Sequence, residues 1–391
     1  MPLSPGGVPA SPGPVCVTGM AWSTPLGDTL EGVWARLLAG EDGLRDTPSD
    51  HPLRTPLAGT VPSLPGPGEA SPADRQVELT SAALLAAFES AGVDPADQDT
   101  RIVAGTSYGP GLDEPFSVLD DWLAAAARRI GHPGRPVCVS TACSAGSDAI
   151  ATAALLIGAG AAERCVAGGA DIVTAAKRLG HSALGTMSHG RLHPFDRRRD
   201  GMVPGEGAAF LMLESARSVR RRGTPVLGVL LGSGASNDAA GLTAPDPSGD
   251  SVLLAMRRCL AAAGRRPDQV AVLNAHATGT ALNDDMESRS LRRIFGPSAA
   301  APVVFATKGA LGHSLGATGA IEAVTVLLAL RDGLAPPVAG LADLVAGFPL
   351  PVGIGRPLPL AEGCGASLTI GFGGFNTCLL FERADDRAGA R

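Results

Sequence analysis

Two segments of the chain repeat one unusual pattern, in which a short apolar run leads through a turn of small residues into a helix poor in large side chains. The first is Val137–Ser140, the turn Thr141-Ala-Cys-Ser-Ala-Gly-Ser and then Asp148-Ala-Ile-Ala-Thr-Ala-Ala-Leu-Leu. The second is Val303–Ala306, the turn Thr307-Lys-Gly-Ala-Leu-Gly-His-Ser-Leu-Gly-Ala-Thr-Gly and then Ala320-Ile-Glu-Ala-Val-Thr-Val-Leu-Leu. Such a repeat predicts two duplicated halves, joined near Arg220–Val226.

The rest of the chain alternates short apolar runs with Ala- and Leu-rich stretches, which predicts an α/β fold of mostly parallel, buried strands covered by helices. Strands are predicted at Val15–Thr18, Arg101–Gly105, Val137–Ser140, Cys165–Gly168, Ala208–Leu213, Val226–Leu231, Val270–Asn274, Val303–Ala306 and Leu379–Phe381. Helices are predicted at Ser81–Ala91, Ala145–Gly158, Val252–Ala263 and Gly316–Leu330. The predicted halves span residues 14–222 and 223–383, between flexible tails at 1–13 and 384–391.

Composition excludes several classes of function. Aromatic residues make up 4% of the 391 and the net charge is −6, which disfavours base stacking and nucleic-acid binding. The uncharged run Ala149–Ala162 is too short for a membrane span, and the N-terminus lacks the features of a signal peptide. Seven cysteines without a CxxC pair argue against disulfides and structural zinc. We therefore expect a cytoplasmic protein that binds neither membrane nor nucleic acid.

Three candidate catalytic residues, Cys143, His276 and His313, each follow a predicted strand by a small-residue turn. Functional sites of α/β sheets open at such strand ends. Cys143 also precedes a helix, whose N-terminus lowers the pKa of a thiol and favours the nucleophilic thiolate. Taken singly, each residue has a structural interpretation, as a buried cysteine or a packed histidine. Together they favour a covalent acyl-transfer site.

The segments that carry these residues resemble the elongating β-ketoacyl–acyl carrier protein synthases. Val139-Ser-Thr-Ala-Cys-Ser-Ala-Gly is similar to that family's nucleophile motif, and His276-Ala-Thr-Gly-Thr, followed by Asn283-Asp and Glu287, to its first histidine block. Thr307-Lys-Gly-Ala-Leu-Gly-His-Ser-Leu-Gly-Ala-Thr-Gly is similar to its second. Further similar segments begin at Val17, Leu192 and Gly371, so the resemblance runs in order from about residue 14 to 383.

The resemblance implies a thiolase-like fold, in which two pseudo-symmetric halves pack as five α/β/α/β/α layers, usually in a dimer. It implies that Cys143 accepts an acyl group as a thioester. His276 and His313 would then promote decarboxylation of a malonyl unit held on an acyl carrier protein. The backbone N–H groups of Cys143 and Phe372 would form the oxyanion hole.

Other roles also follow from the resemblance alone. Lys308, with Glu287 as its partner, would tune the histidines. Thr278 and Thr280 would hydrogen-bond the phosphopantetheine arm, and Phe372 would act as a gate. The family's mechanism uses no metal and no redox cofactor. Its substrates are carried on the phosphopantetheine of the carrier protein.

The sequence departs from the family at several positions. Leu368-Thr-Ile stands where the loop before the gate usually reads Asn-Ser-Phe, Phe375 replaces a threonine, and Ala277 stands where glycine is common. Tyr108 is expected either to reshape the acyl pocket, together with Phe375, or merely to pack on a loop.

Ser107 lies in a G-x-S-x-G pattern, which is typical of the nucleophile elbow of α/β-hydrolases. Pro110-Gly111 follows directly and disfavours the helix that an elbow requires.

The sequence therefore predicts a free-standing β-ketoacyl synthase of fatty acid or type II polyketide synthesis. Two alternatives stay open: a related acyltransferase that passes the acyl group from Cys143 to an amine or alcohol, and an inactive chain-length-factor partner. The expected partners are an acyl carrier protein and a second subunit, in a homodimer or in a heterodimer with a chain-length-factor-like chain. An acidic carrier needs basic docking residues, and the candidates are Arg128, Arg129, Arg191, Arg197, Arg198 and Arg199.

Overall fold

The computed structural model describes residues 15–114, 118–296 and 301–384. Residues 1–13 and 385–391 of the predicted tails, and residue 14 of the predicted N-terminal half, lie outside this range. The strands are β1 (Val15–Ser23), β2 (Leu44–Asp46), β3 (Leu57–Gly59), β4 (Thr100–Gly105), β5 (Val137–Val139), β6 (Arg164–Asp171), β7 (Gly207–Ser215), β8 (Gly228–Asn237), β9 (Val270–Asn274), β10 (Val303–Phe305), β11 (Leu334–Ala335), β12 (Leu358–Pro359), β13 (Cys364–Ile370) and β14 (Phe375–Arg383). The helices are α1 (Leu30–Leu38), α2 (Pro72–Ala91), α3 (Asp121–Arg129), α4 (Ala145–Gly158), α5 (Ala175–Ala183), α6 (Ala216–Arg222), α7 (Asp250–Ala262), α8 (Ala281–Phe295), α9 (Lys308–Leu311) and α10 (Thr318–Asp332).

One sheet of ten strands contains the internal repeat, in the order β10-β9-β13-β14-β8-β1-β7-β6-β4-β5. Outwards from its centre, β1 is followed by β7 and β6 in antiparallel ladders and by β4 and β5 in parallel ones. From β8 outwards, β14 and β13 are antiparallel, whereas β9 and β10 are parallel. The two half-sheets therefore have the same order and the same strand directions. The predicted pair of pseudo-symmetric halves is confirmed.

The prediction of mostly parallel strands is wrong at the centre of the sheet, where the ladders from β6 to β13 are antiparallel. Only residues 371–374 separate β13 from β14, and so short a connection joins antiparallel neighbours. Strand β13 is itself missing from the predicted strands. Residues 368–370 belong to it and are buried, so they do not form a loop before the predicted gate.

Two central helices, α4 and α10, make the middle layer of the fold. Helix α4 packs on β4 and β6, α10 packs on β13 and β14, and the two helices contact each other. Helices α2 and α7 cover the outer faces, α2 against β1 and β7 and α7 against β8 and β14. Five layers of alternating helices and strands result, as predicted. Because it has neighbours on every side, α10 is buried from Thr318 to Leu330.

Glycine permits the close contact between the central helices. A Cβ atom added at Gly146 would lie 2.9 Å from the carbonyl oxygen of Gly316 and 3.0 Å from the backbone nitrogen of Ala320. A Cβ atom at Gly319 would lie 2.8 Å from the backbone nitrogen of Ser147. Backbone atoms cannot rotate away as a side chain can, so larger residues would separate the helices. This contact explains the small-residue composition of both repeated segments.

A buried carboxylate also joins the two halves. Asp171, the last residue of β6, accepts hydrogen bonds through Oδ2 from the backbone N–H groups of Ser107 at 2.8 Å and Gly316 at 3.0 Å. Its Oδ1 accepts the N–H of Ile172 at 3.1 Å and forms an ion pair with the ammonium of Lys177. Ser107 follows β4 in the N-terminal half, whereas Gly316 precedes α10 in the C-terminal half. The carboxylate therefore fixes one half against the other.

The contact between the central helices predicts the effect of one added methyl group. Gly146→Ala should lower the free energy of unfolding by about 1–3 kcal/mol, because the methyl group meets backbone atoms in a filled core. Gly180→Ala in α5 is the matched control, since no atom lies within 4 Å of its added Cβ. The control should be neutral or stabilising, as alanine favours a helix over glycine. Urea denaturation measures both, and equal effects would contradict the packing argument.

Candidate active site

The candidate nucleophile lies on a strained turn that occurs once in each half. The turns Ala142–Ser144 and Leu315–Ala317 are 3-10 helices that lead into α4 and α10. Ala142 has φ of +51° and Leu315 of +48°, a region that residues with a Cβ atom rarely adopt. The residue after each strained position is Cys143 in the N-terminal half and Gly316 in the C-terminal half, so these two residues occupy equivalent positions. A side chain at Gly316 would collide with the backbone of Thr106 and Ser107, so this turn presents a thiol in the N-terminal half only.

Burial determines the protonation state of Cys143. Its side chain is almost fully buried, and this desolvation raises the pKa of the thiol to about 11. The backbone N–H of Phe372, the ammonium of Lys308 and the N–H of Cys143 itself favour the thiolate, while Asp171 opposes it. The expected lowering of this pKa by the helix N-terminus is therefore wrong, because desolvation outweighs it. At neutral pH Cys143 is a thiol that must lose its proton as it reacts.

Two buried histidines form an edge-to-face pair beside the thiol. The ring centres of His276 and His313 lie 5.4 Å apart with their planes at 83°. Burial lowers the pKa of both imidazoles well below its usual range, and the positive charge of Lys308 lowers both further. Both rings are consequently neutral at physiological pH.

The hydrogen bonds of His313 identify which ring nitrogen carries the proton. The backbone N–H of Leu315 donates to Nδ1 at 3.3 Å, and Oγ1 of Thr318 lies 3.0 Å from the same atom. Because an N–H donor requires a lone pair on Nδ1, the proton of the neutral ring is on Nε2. His313 therefore has an Nε2–H donor available for a ligand in the site.

Glu287 holds the turn that carries His276. Its two carboxyl oxygens accept the backbone N–H groups of His276 at 2.6 Å and Ala277 at 2.8 Å. Burial raises the pKa of Glu287 to about 7, although both of these hydrogen bonds oppose the rise. Ala277 has φ of +43°, which explains why glycine suits this position. Glu287 thus positions a backbone turn rather than a substrate.

Lys308 has a different partner from the one predicted. Its ammonium lies 2.6 Å from Oε1 of Glu322 in α10, and both side chains are fully buried. The expected pairing of Lys308 with Glu287 is wrong, because the carboxylate of Glu287 is held by the backbone of residues 276 and 277. The Lys308–Glu322 pair keeps a positive charge near the thiol and near both imidazoles.

One cavity of about 320 Å³ brings the thiol and the two imidazoles together. Cys143, His276, His313, Thr278 and Thr280 are among its lining residues. The hydroxyl oxygens of Thr278 and Thr280 lie 2.9 Å apart. The segment from Ile370 to Gly374, which includes Phe372, forms part of another wall.

Tyr108 and Phe375 do not line this cavity. The side chain of Tyr108 is 44% exposed, on a tight turn in which its carbonyl oxygen accepts the N–H of Gly111. Phe375 begins β14 with its ring 37% exposed beside Gly373, while its carbonyl oxygen accepts the N–H of Gly371 at 2.6 Å. Because neither residue lines the cavity that holds the thiol, the expectation that they shape the acyl pocket stays a prediction.

The G-x-S-x-G pattern does not form a nucleophile elbow. After Ser107 the described residues form turns, and the next helix, α3, begins only at Asp121. The N–H of Ser107 is instead used to bind Asp171.

Most of the predicted docking arginines are already paired with acidic side chains. The pairs are Arg191–Asp42 at 2.6 Å, Arg197–Asp343 at 3.5 Å, Arg198–Asp196 at 2.9 Å and Arg199–Asp285 at 2.6 Å. Arg199 is 14% exposed, whereas Arg197 and Arg198 are 61% and 57% exposed. Arg128 and Arg129 are exposed in the last turn of α3.

Sequence reasoning missed three residues of the site. Glu322 lies in the middle of an apolar helix, where a lone acid already signals a buried partner. Asp171 ends a buried strand, and the same argument applies to it. His181 on α5 lines the cavity, and no motif in the sequence marks it.

Neither a metal-binding cluster nor a membrane-spanning helix is found in the described ranges. In the described ranges, no three His, Cys, Asp or Glu side chains are grouped so that they could hold a metal ion. None of the helices in these ranges has the length and apolar character that a membrane span needs.

Comparison with known proteins identifies the family. Residues 13–218 match the model of the beta-ketoacyl synthase N-terminal domain, and residues 227–342 match that of the C-terminal domain. The chain therefore belongs to the beta-ketoacyl synthase family.

Individual relatives cover nearly the whole chain. The chain is 32% identical to 3-oxoacyl-(acyl-carrier-protein) synthase 2 of Mycobacterium bovis, over 94% of this chain and 97% of that protein. Among solved structures, a beta-ketoacyl synthase from Burkholderia phymatum matches with a TM-score of 0.85 and 28% identity, over 95% of this chain and 100% of that one. The ishigamide ketosynthase/chain length factor matches with a TM-score of 0.86 and 28% identity, over 95% and 99% of the two chains. These matches confirm the predicted thiolase-like fold.

The position of Lys308 predicts how the two histidines titrate. In ¹⁵N NMR spectra of the imidazoles, His276 and His313 should stay neutral at pH 6. Lys308→Met should raise the pKa of both, because it removes a nearby positive charge that lowers both values. Arg266→Met, which removes an exposed charge at a distant loop, should change neither. Identical titrations in the Lys308 variant and the wild type would contradict the electrostatic role of Lys308.

Proposed function

We propose that the protein catalyses decarboxylative Claisen condensation, in which an acyl group on Cys143 is joined to a malonyl unit carried by an acyl carrier protein. The observation that carries this proposal is one cavity in which a buried thiol, the N–H of Phe372 and two neutral imidazoles meet. The thiol supplies a nucleophile, the N–H groups stabilise an oxyanion, and neutral N–H donors suit an enolate.

The first half-reaction loads the enzyme. The Cys143 sulfur attacks the carbonyl carbon of an acyl thioester on the carrier's phosphopantetheine, a C–S bond to Cys143 forms, and the bond to the pantetheine sulfur breaks. The thiol proton ends on the departing pantetheine thiolate. Because the pKa of the thiol is about 11, the Lys308 ammonium and the N–H of Phe372 are needed to stabilise negative charge on sulfur during the attack.

The second half-reaction forms the new carbon–carbon bond. The malonyl thioester releases CO₂, and the electrons of the broken bond form an enolate whose oxygen accepts hydrogen bonds from His276 and from Nε2–H of His313. A neutral donor suits this step, because an imidazolium would stabilise the malonyl carboxylate and so oppose its loss. The enolate carbon then attacks the thioester on Cys143, and the released thiolate takes up a proton.

The remaining cavity residues support substrate binding. The hydroxyl groups of Thr278 and Thr280 line the cavity beside His276 and are suited to the amide groups of the phosphopantetheine arm. Thiol, imidazole and ammonium groups perform every step above, so we assign no resident cofactor to the reaction. Carrier-bound phosphopantetheine acts as substrate.

Variants of the site test the proposed division of labour. Cys143→Ala should abolish acylation by acyl carrier proteins, as seen by mass spectrometry of the intact protein. His276→Ala and His313→Ala should retain acylation but lower condensation and CO₂ release by about 10²–10⁴-fold, because each loses a hydrogen bond to the enolate. Ser107→Ala, which removes only the hydroxyl of the G-x-S-x-G pattern, is the control and should keep nearly full activity. Wild-type CO₂ release in both histidine variants would contradict the proposal.

The same assay separates the alternatives. Transfer of the acyl group to an added amine or alcohol without CO₂ release would indicate the acyltransferase. Failure of the wild type to become acylated would indicate an inactive chain-length-factor partner, although the presence of Cys143 disfavours that hypothesis.

A second subunit is supported by an asymmetry between the two edges of the sheet. Edge strand β10 is covered by the segment at Pro351 and Val352, since the N–H of Val304 donates to the carbonyl oxygen of Pro351. In the described part of the chain, no further strand pairs with β5 at the opposite edge, and Val137 on β5 is 44% exposed. An open edge strand with apolar neighbours favours pairing with another copy or a related chain. Sedimentation should therefore give about twice the 39.2 kDa of one chain.

Arg197 and Arg198 are our candidates for docking the carrier protein. They precede Asp200 and Met202 of the cavity wall and keep more than half of their side-chain surface exposed. Arg197→Glu with Arg198→Glu should raise the KM for malonyl carrier protein by about fivefold, the effect of lost exposed ion pairs. The KM for free malonyl-pantetheine should stay constant. Arg128→Glu with Arg129→Glu is the comparison, and a larger effect of this second pair would move the docking surface to α3.

A further inference from the structure

A third histidine, His181, faces the same cavity from a wall that the proposed chemistry does not use. It lies on α5, and its ring centre is 5.7 Å from that of Phe372. Leu184, Met202 and Ile370 supply apolar surface to this cavity. His181 therefore presents a polar ring in largely apolar surroundings, next to the residue whose N–H touches the nucleophile.

Thr186 occupies one of the two ring nitrogens of His181. The hydroxyl oxygen of Thr186 lies 2.9 Å from Nδ1, and its backbone N–H donates to the carbonyl oxygen of His181 at 3.1 Å. Burial lowers the pKa of His181 to about 4, and the charge of Lys177 contributes, so the ring is neutral. Nε2 is the ring nitrogen that is left for a ligand.

Within the described ranges no protein group hydrogen-bonds to Nε2 of His181, and the hydrogen bond of the ring is through Nδ1. Water satisfies such a nitrogen in an empty cavity. A saturated acyl chain would displace this water and leave Nε2 unpaired, which costs about as much as a lost hydrogen bond. A chain that carries a hydroxyl, which can donate or accept, would incur no such cost. Sites with a buried polar group reject ligands that cannot pair with it.

We propose that Nε2 of His181 forms a hydrogen bond with the acyl chain, and that the natural acyl group carries a hydroxyl or amide group near its thioester. This inference rests on the proposed function, because an acyl group held on Cys143 is what brings the chain beside Phe372 and His181. His181 thereby acts as a specificity residue for the loading step.

The test compares acyl groups that differ by one hydroxyl. Octanoyl-, 3-hydroxyoctanoyl- and 5-hydroxyoctanoyl-pantetheine are incubated separately with the full-length protein, and the rate of Cys143 acylation is followed by mass spectrometry. The wild type should prefer at least one hydroxyacyl thioester over octanoyl by about tenfold. His181→Phe keeps a planar ring but removes the hydrogen-bonding nitrogen, and should bring this ratio to about one or below. His181→Gln keeps a group that can donate or accept and should restore part of the preference.

A matched control separates specificity from general damage to the cavity. Met202→Leu alters another lining residue without changing its polarity, and should leave the hydroxyacyl-to-octanoyl ratio as in the wild type. Equal rates for all three thioesters in the wild type, with no change in His181→Phe, would overturn the role of His181 while leaving the proposed function intact. A preference that persists unchanged in His181→Phe would overturn it as well. Absence of acylation by every thioester would instead contradict the proposed function itself.

Discussion

The buried carboxylate of Asp171 is the interaction on which the geometry of the site depends. It ends a strand of the N-terminal half and accepts the N–H of Gly316 in the turn before α10. The neighbouring N–H of that turn, from Leu315, is the one that orients His313. A buried carboxylate is stable only when charge and hydrogen bonds compensate it, which the ammonium of Lys177 and the N–H of Ser107 do here. One carboxylate thus links the turn that orients His313 in one half to the half that carries the thiol.

Burial of the site has opposite effects on the two kinds of group that it contains. It raises the pKa of Cys143, which makes the thiolate harder to form, and it keeps His276 and His313 neutral. The ammonium of Lys308, paired with Glu322, opposes the first effect and reinforces the second, because it lowers the pKa of the thiol and of each imidazole. A dry site with a paired cation therefore suits a reaction in which negative charge appears first on sulfur and then on an enolate.

Features that depend on local sequence could be predicted, and those that depend on long-range packing could not. The internal repeat and the strand-end positions of Cys143, His276 and His313 follow from residue patterns over short segments. The partner of Lys308 could not be predicted in this way, because Glu322 lies in the next helix and is brought beside Lys308 only by the turn between α9 and α10. The pKa of Cys143 was mispredicted for a similar reason: the helix terminus is visible in the sequence, whereas the depth of burial is set by both halves. The absence of Tyr108 from the lining of the cavity likewise depends on how its turn folds.

The proposed function requires that Cys143 holds an acyl group which is released only by carbon–carbon bond formation coupled to loss of CO₂. The most direct measurement loads the protein from an acyl carrier protein, identifies the acylated peptide by mass spectrometry, and then adds malonyl carrier protein labelled in its free carboxyl group. We expect acylation of the peptide that contains Cys143 and discharge matched by equal amounts of labelled CO₂ and β-ketoacyl product. Discharge without labelled CO₂, or acylation of another residue, would contradict it.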